Sequence, residues 1–205
     1  WAGGTSVVLT GTDFSSASAV KFGSNDATSF TVDSATQITA VAPAGSAGAV
    51  DVSVTTPFGT SANNGTSDDY TYVAAPTLNA FTHGSTVPYG AGATTIDVAT
   101  GASPSGSPTS YAVVSGTTSG GGSVSINAAG SASYTPATGF RGADSFQVTA
   151  TNVGGTSGAA TVTVNVGNPT FVASALPTAT INAAYSQQVT LSGGTGPYGS
   201  YSATG

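Results

Sequence analysis

The 205-residue sequence contains no cysteine, no methionine and no glutamate, so all eight of its acidic residues are aspartates. Its only cations are Lys21 and Arg141, and His83 is its single histidine. The absence of cysteine is compatible with any redox compartment, and it leaves histidine and aspartate as the side chains that could ligate a metal.

Charge is the second scarcity. Charged residues make up 5% of the chain, whereas ordinary domains carry about a quarter. Disorder requires low hydrophobicity with high net charge, but this chain is 39% apolar with a net charge of −6. Strong helix formers are scarce while Thr, Val, Tyr and Phe recur, which favours strands. The sequence therefore predicts a folded, all-β protein.

Several partners are excluded by the same scarcities. Two cations cannot neutralise a run of phosphates, so the composition argues against nucleic acid and against an anionic membrane surface. No long apolar run and no charged leader with an apolar core are present, so neither membrane insertion nor a signal peptide is predicted. If the protein is exported, its signal is expected outside this chain. Surface polarity from Ser and Thr is common in bacterial secreted and surface proteins.

Short apolar runs that alternate with polar residues follow one another along the chain. They include residues 6–10, 19–22, 37–41 and 50–54. Runs spaced by about 8 to 12 residues with turn residues between them are typical of a β-sandwich. In the last run, Val50, Val52 and Val54 are expected to face the core, with Asp51 and Ser53 in solvent.

Two proline-containing links interrupt this pattern, at residues 74–77 and 167–170. A strand that ends in such a link is typical of the seam between consecutive domains. The sequence therefore predicts β-sandwich domains at 1–74 and 75–168. Residues 169–205 are too few for a third complete sandwich, which needs about seven strands.

Segments of the first domain resemble the IPT/TIG immunoglobulin-like family in order and spacing. They are residues 3–14 (GGTSVVLTGTDF), 20–23 (VKFG), 38–43 (ITAVAP), 50–61 (VDVSVTTPFGTS) and 70–72 (YTY). Gly11 and Gly23 are expected to allow turns with positive φ. Phe14 and Phe22 are expected to fill the core of the sandwich, and residues 57–59 are expected to form a hairpin connection. The family usually opens with one more strand, so this domain is expected to lack its first strand.

The second domain resembles the bacterial cadherin-like and Ig-like repeats of large surface proteins. The matching segments are residues 122–136 (GSVSINAAGSASYTP), 139–146 (GFRGADSF) and 152–157 (NVGGTS). True cadherins bind calcium through clustered acidic motifs, whereas Asp97 and Asp144 lie far apart here, so the resemblance does not imply calcium. Residues 176–180 (LPTAT), 184–191 (AYSQQVTL) and 193–198 (GGTGPY) resemble the start of a further Ig domain of bacterial surface proteins. The fold expected is a tandem of immunoglobulin-like β-sandwiches, the last one incomplete.

Incomplete sandwiches expose sheet edges. One domain is expected to lack its first strand and another its second half. The chain is therefore predicted to be part of a longer polypeptide or one unit of a polymer. Neighbouring sequence, or a strand from the next subunit, would complete the open edge.

Catalytic and metal-binding patterns are scarce. Asp68-Asp69 is the only acidic pair; it could hold Ca²⁺ at a domain junction, but a solvated turn is favoured because Ca²⁺ takes six to eight oxygens. The residues around His83 resemble no catalytic triad motif. The glycine run 119–123 is not followed by the Lys of a phosphate-binding loop, so we interpret the run as a hairpin connection. Lys21 is the only lysine for an isopeptide crosslink. The sequence predicts no enzyme, no cofactor and no catalytic, cofactor-binding or metal-binding residue.

Carbohydrate binding is the main alternative to a structural role. Sugars stack on exposed aromatic rings, for which Tyr89, Tyr111, Tyr198 and Tyr201 are candidates, although most tyrosines of a sandwich lie in the core or at its rim. The function predicted is a stalk, adhesin shaft or fibre subunit in an extracellular bacterial surface protein. Its expected partners are neighbouring domains, identical subunits or surface glycans. The alternative is a carbohydrate-binding accessory module of a secreted polysaccharide-active enzyme.

The stretch 133–148 (SYTPATGFRGADSFQV) gathers charged and hydroxyl side chains. We interpret it as a corner of the sandwich, turned by Gly139 and Gly142, after which Phe146, Val148 and Ala150 enter the core. Asp144 is expected to accept N–H groups of the turn, and its replacement by Ala to cost about 1–2 kcal/mol. Arg141 is expected to pair with Asp144 or to lie in solvent, where an ion pair contributes about 0–1 kcal/mol.

Overall fold

The computed structural model describes residues 3–170, which form two compact units: the first extends to Ala75 and includes Val153–Gly155, and the second comprises Pro76–Asn152 and the residues from Thr156. Each unit is built from two β-sheets that enclose its own core. Within the described range, no helix has the length and apolar character needed to cross a membrane.

The first unit contains eight strands. They are β1 (Ser6–Thr10), β2 (Ala19–Phe22), β3 (Asn25–Asp26), β4 (Ser29–Ser34), β5 (Gln37–Val41), β6 (Gly48–Thr56), β7 (Gly59–Thr60) and β8 (Asp69–Tyr72). One sheet has the order β1-β5-β4, and the other has the order β3-β2-β6-β7 with β8 also paired to β6. Short 3-10 helices lie at Phe14–Ser16 and Gly65–Ser67.

The core of the first unit follows the alternation of its strands. Val52 and Val54 are buried while Asp51 is exposed, as the two-residue period requires. Phe14 and Phe22 are both buried, and Phe22 meets the Tyr70 ring edge to face, with 5.1 Å between ring centroids.

The two glycines predicted to need positive φ differ. Gly23 has φ of 62°, but Gly11 does not adopt positive φ, so that prediction was wrong. Gly11 is close to the Phe14 ring: a Cβ at residue 11 would lie 2.5 Å from Phe14 Cζ. The position therefore favours glycine because an aromatic ring approaches the backbone, and not because of a left-handed turn.

The second unit contains eight strands and one short helix. They are β9 (Phe81–Thr82), β10 (Thr94–Asp97), α1 (Val98–Gly101), β11 (Ser110–Val113), β12 (Ser123–Ile126), β13 (Ser131–Thr135), β14 (Gly142–Asn152), β15 (Gly155–Thr156) and β16 (Ala160–Val166). The sheets have the orders β10-β13-β12 and β11-β14-β16-β9, with β15 paired to β14. Asp97 caps α1 by accepting the Thr100 N–H at 3.0 Å.

Strand β14 carries one face of the second core. Phe146, Val148 and Ala150 are buried, as predicted, and Phe146 and Val148 share one core cluster with Val162 and Val164 of β16. Residues of equal parity share a face of a strand, so Asp144 is directed inward with them.

The first and last strands of the second unit lie side by side. Strand β9 pairs with β16 in parallel, with Val162 opposite Phe81 and Thr163 opposite Thr82. The contact continues beyond the strands, because His83 N–H donates to Thr163 O at 2.8 Å, Val87 N–H donates to Asn165 O at 2.9 Å, and Gly167 N–H donates to Val87 O at 2.8 Å. We call this set of hydrogen bonds the parallel clamp.

The same hairpin occurs in both units. At its base Val54 N–H donates to Ser61 Oγ at 3.1 Å in the first unit, and Ala150 N–H donates to Ser157 Oγ at 3.0 Å in the second. One step outward, Thr55 pairs with Thr60 and Thr151 with Thr156 through their hydroxyls. The tips differ, since Pro57-Phe58 stands where the hairpin after β14 has Val153-Gly154.

Candidate functional site

The corner at residues 133–148 is organised around Asp144, whose residue exposure is 1%. Its carboxylate accepts hydrogen bonds from five donors. Oδ2 accepts from Thr118 Oγ1 at 2.6 Å and from Tyr134 Oη at 2.8 Å. Oδ1 accepts from Ser119 Oγ at 3.0 Å, from Gly120 N–H at 2.6 Å and from Ser145 N–H at 2.7 Å. The corner therefore ties β13, β14 and the 118–122 loop to one side chain.

The electrostatics of this carboxylate follow from its contacts. Burial acts to raise the pKa of Asp144, but the hydrogen bonds from Thr118, Gly120, Tyr134 and Ser145 outweigh it and hold the pKa below its usual range. Burial and the neighbouring Asp144 carboxylate raise the pKa of Tyr134. The charged Asp144 and the neutral Tyr134 therefore stabilise each other.

The prediction for Asp144 captured its acceptor role but not its partners. It accepts the N–H of Ser145, its neighbour in the chain, and the N–H of Gly120 in the 118–122 loop, and not the N–H groups of the 139–142 turn as predicted; its three other donors are hydroxyls. The glycine run interpreted as a hairpin connection supplies one of those N–H groups, from Gly120. Arg141 is exposed and has no ion pair among the described residues.

A second acidic group forms in the first unit. Carboxylate oxygens of Asp51, Asp68 and Asp69 lie within 4.8 Å of one another, because β6 and β8 place Asp51 directly opposite Asp69. Asn63 Nδ2 donates to Asp51, and the Asn64 N–H reaches both carboxylate oxygens of Asp68 at 3.1 and 3.2 Å. Sequence reasoning identified the pair at 68–69 but missed Asp51, which is 17 positions away in the chain.

Burial and the neighbouring carboxylates of this acidic group change the pKa of Asp69. The pKa of Asp69 is raised, first by burial and then by its hydrogen bond to Asp51 and the charges of Asp51 and Asp68. Three carboxylates offer fewer oxygens than the six to eight that Ca²⁺ takes. That no metal binds here stays a prediction.

His83 and Lys21 are the remaining catalytic candidates, and each makes a contact within its own unit. The His83 backbone belongs to the parallel clamp, and Lys21 Nζ pairs with Asp26 Oδ1 at 2.7 Å on the surface. Among residues 3–170, His83 belongs to no cluster of three or more metal-ligating side chains, and the Asp26 carboxylate that pairs with Lys21 is exposed.

Of the four tyrosines named as candidates for sugar stacking, the structure describes Tyr89 and Tyr111. Tyr89 and Tyr111 are half-buried, and Tyr111 packs against the second core. Tyr198 and Tyr201 lie outside the described residues. Between residues 3 and 170, the exposed large apolar side chains are Val8, Phe58, Val73, Val114 and Val153, of which Phe58 is the aromatic.

Phe58 is 92% exposed at the tip of the β6–β7 hairpin. It borders an open cleft of about 470 Å³, which we call the Phe58 cleft. The cleft is lined by Thr12, Asp13, Phe14, Val54, Thr56, Phe58, Gly59, Thr60 and Ser61. The turn residues predict the connection at 57–59 but not the exposure of the ring that the turn carries.

The two-sheet architecture and the cores of both units define a tandem of immunoglobulin-like β-sandwich domains. Residues 1–74 match the family model of the IPT/TIG domain, and residues 73–165 match that of the bacterial Ig domain. These two matches agree with the predicted IPT/TIG and bacterial Ig-like domains. The further Ig domain predicted at 169–205 lies outside the described residues, apart from the link at its start.

Solved structures give weak similarities. SGBP-B of the Bacteroides ovatus mixed-linkage glucan utilization locus, in complex with a mixed-linkage heptasaccharide, is 19% identical with a TM-score of 0.31, covering 80% of this chain and 43% of that one. SGBP-B from a complex xyloglucan utilization locus in Bacteroides uniformis is 16% identical with a TM-score of 0.28, covering 80% and 45%. The BSP domain of a biofilm associated protein is 17% identical with a TM-score of 0.21, covering 80% and 25%.

This chain spans less than half the length of each of these three structures. Their TM-scores are too low for any property to be transferred from them. No curated protein matches the sequence.

Proposed function

We propose that this chain is a non-catalytic structural region of a large extracellular bacterial surface protein, serving as a stalk, adhesin shaft or fibre subunit. In this proposal residues 169–205 begin a third Ig-like domain. The partners of the chain are neighbouring domains of the same polypeptide or identical subunits. The bacterial Ig family match and the hydroxyl-rich, charge-poor composition support this assignment.

The parallel clamp is the observation that carries the proposal. Tension enters a domain through its first and last strands, which here are β9 and β16. Because these strands run in parallel, tension at the two ends of the domain pulls them past each other along their length. The hydrogen bonds of His83, Val87 and Gly167 then bear the load together and do not open one after another. Such a connection suits a protein that transmits force.

The outer edge of β1 supports a further element of the proposal, assembly by strand complementation. Strand β1 pairs on one side with β5 and has no other partner strand in the described range. Since ladder bonds alternate along an antiparallel pair, Ser6, Val8 and Thr10 direct their backbone N–H and C=O groups away from β5. An added strand from a neighbouring subunit would satisfy these groups.

Force spectroscopy tests the load-bearing role. His83→Pro removes the N–H that donates to Thr163, whereas His83→Ala keeps it. We expect the proline variant to lower the unfolding force of the second unit and the alanine variant to leave it near that of the parent chain. Gly167→Pro, which removes the bond to Val87 O, provides a second test if His83→Pro does not fold. Unchanged force in folded proline variants would contradict the proposal.

A second candidate function is a carbohydrate-binding accessory module of a secreted polysaccharide-active enzyme. The observation that favours it is the exposed Phe58 ring, because an aromatic face in solvent is a stacking surface for a sugar.

A further inference from the structure

The Phe58 cleft combines an exposed ring with exposed polar groups. Phe14 and Val54, which line it, are buried core side chains of the first unit. Thr12, Asp13 and Thr60 are exposed and bring hydroxyl and carboxylate oxygens to the same cleft. The cleft therefore has an apolar part and a polar part side by side, which is the arrangement expected of a small-ligand site.

The hairpin fixes the backbone that carries the Phe58 ring. Pro57 restricts the backbone at the turn, Phe58 N–H donates to Thr56 Oγ1 at 3.2 Å, and Thr56 Oγ1 donates to Gly59 O at 3.4 Å. Gly59 takes φ of 137°, which side chains rarely adopt. A backbone that is already fixed loses less conformational freedom on binding.

Asp13 supplies an acceptor that the fold does not use. It precedes the 3-10 helix at Phe14–Ser16 in the left-handed region, with φ of 60°, and its side chain makes no capping hydrogen bond. Its carboxylate has no hydrogen bond or ion pair with any residue in 3–170. An exposed carboxylate can accept from two neighbouring hydroxyls of one ligand.

We propose that the Phe58 cleft binds a neutral oligosaccharide, with one sugar ring stacked on Phe58 and its hydroxyls hydrogen-bonded to Asp13 and the threonines. A pyranose presents a face of C–H groups to an aromatic ring and a rim of hydroxyls to polar groups, so it matches both parts of the cleft. Asp13 is the only charged residue that lines the cleft, and the chain carries a net charge of −6. Acidic glycans are therefore disfavoured. The proposal rests on the second candidate function.

The test uses the whole chain and NMR chemical shifts of its backbone amides. The neutral probes are cellohexaose, chitohexaose and mannohexaose, and hexagalacturonate is the acidic probe of equal length. We expect at least one neutral probe to shift the amides of residues 56–61, with hexagalacturonate bound at least about tenfold more weakly. The corresponding hairpin at residues 151–157, which has no ring at its tip, serves as an internal control.

Variants then assign the contacts. Phe58→Ala should weaken binding by about tenfold or more, whereas Phe58→Trp should retain it. Asp13→Asn, which is compatible with a left-handed backbone, should weaken the neutral probe and reduce discrimination against the acidic one. Val153→Ala at the tip of the control hairpin should change nothing. Since Phe58, Asp13 and Val153 are all exposed, thermal midpoints should stay near that of the parent chain.

The proposal fails if no neutral probe at millimolar concentration shifts the hairpin amides, or if Phe58→Ala binds as tightly as the parent chain. It also fails if the parent chain self-associates through Phe58 in sedimentation, because the ring would then be a contact between copies. Shifts confined to other residues would overturn this site and leave a carbohydrate-binding function in place. Force measurements on the parallel clamp do not depend on any of these results.

Discussion

At the scale of the residue, the buried Asp144 carboxylate accepts hydrogen bonds from five donors in three segments of the second unit. A buried charge is tolerated only when its lone pairs are satisfied. Within the described residues, no buried side-chain oxygen or nitrogen lacks a hydrogen-bond partner. Removing Asp144 would therefore leave several buried donors without an acceptor.

We predict that Asp144→Ala lowers the free energy of unfolding by about 3 kcal/mol or more. This is larger than the turn pattern alone suggested, because Thr118 and Tyr134 would also lose their acceptor. Arg141→Ala, three positions away and exposed, should stay within about 0.5 kcal/mol of the parent chain. Urea unfolding followed by circular dichroism measures both. Equal effects of the two substitutions would contradict the role assigned to the carboxylate.

The same residue predicts a pH dependence. Since the pKa of Asp144 is lower in the folded chain than in the unfolded one, its contribution is fully present above about pH 4 and is lost as the pH falls through the lowered pKa. We expect Asp144→Asn to reduce the acid-induced loss of stability of the second unit. Asp69 acts in the opposite direction, because its raised pKa favours the folded state as the pH falls. Thermal midpoints between pH 2 and pH 7, read for each unit by NMR, separate the two effects.

Sequence reasoning reached Asp144 because a short carboxylate beside two glycines is a local turn pattern. It did not reach Asp51 as a neighbour of Asp69, because that contact depends on the register between β6 and β8. The exposure of the aromatic candidates was left open for a related reason. Alternation and turns do not say which tyrosines a sandwich buries, nor that a turn displays Phe58.

At the scale of the element, the hairpins at residues 54–61 and 150–157 share one structural motif. In each, a serine hydroxyl accepts a backbone N–H at the base of the hairpin, and two threonine hydroxyls pair beside it. The shared GTS sequence at 59–61 and 155–157 therefore encodes the same local closure in both units.

We predict that Ser61→Ala and Ser157→Ala have similar effects, since each removes the acceptor of one N–H. Each should cost about 1 kcal/mol locally. Hydrogen exchange at the Val54 and Ala150 amides is the measurement, and protection there should fall about fivefold. Ser53→Ala, on the same strand as Val54 but outside this contact, is the control. A large effect in one hairpin alone would mean that the hydrogen bonds of Ser61 and Ser157 are not equivalent.

At the scale of the whole molecule, the low charge and the unpaired edge of β1 act together. The sequence has a pI near 4.1, and net charge near zero promotes association. Val8, which lies on β1, is 57% exposed, and natural sheets often protect such edges with charged residues. Strand complementation and aggregation would start from the same surface.

We predict that the chain associates most readily near pH 4 and that Val8→Lys on β1 reduces this association. Light scattering across pH 3–8 gives the measurement. Val114→Lys adds the same charge at an exposed apolar position outside β1, and it is the matched control. If both lysine variants suppress association equally, net charge explains the result and the β1 edge has no special part in it.

The sequence by itself determined the all-β class, the alternation that buries Val52, Val54, Phe146 and Val148, and the two family matches. These follow from short-range patterns that each strand carries within itself. Only the tertiary structure decided that Asp51 joins Asp68 and Asp69, that Tyr134 meets Asp144, and that β9 runs beside β16. Those contacts join residues that are distant in the chain, and strand pairing brings them together only when the sandwich closes.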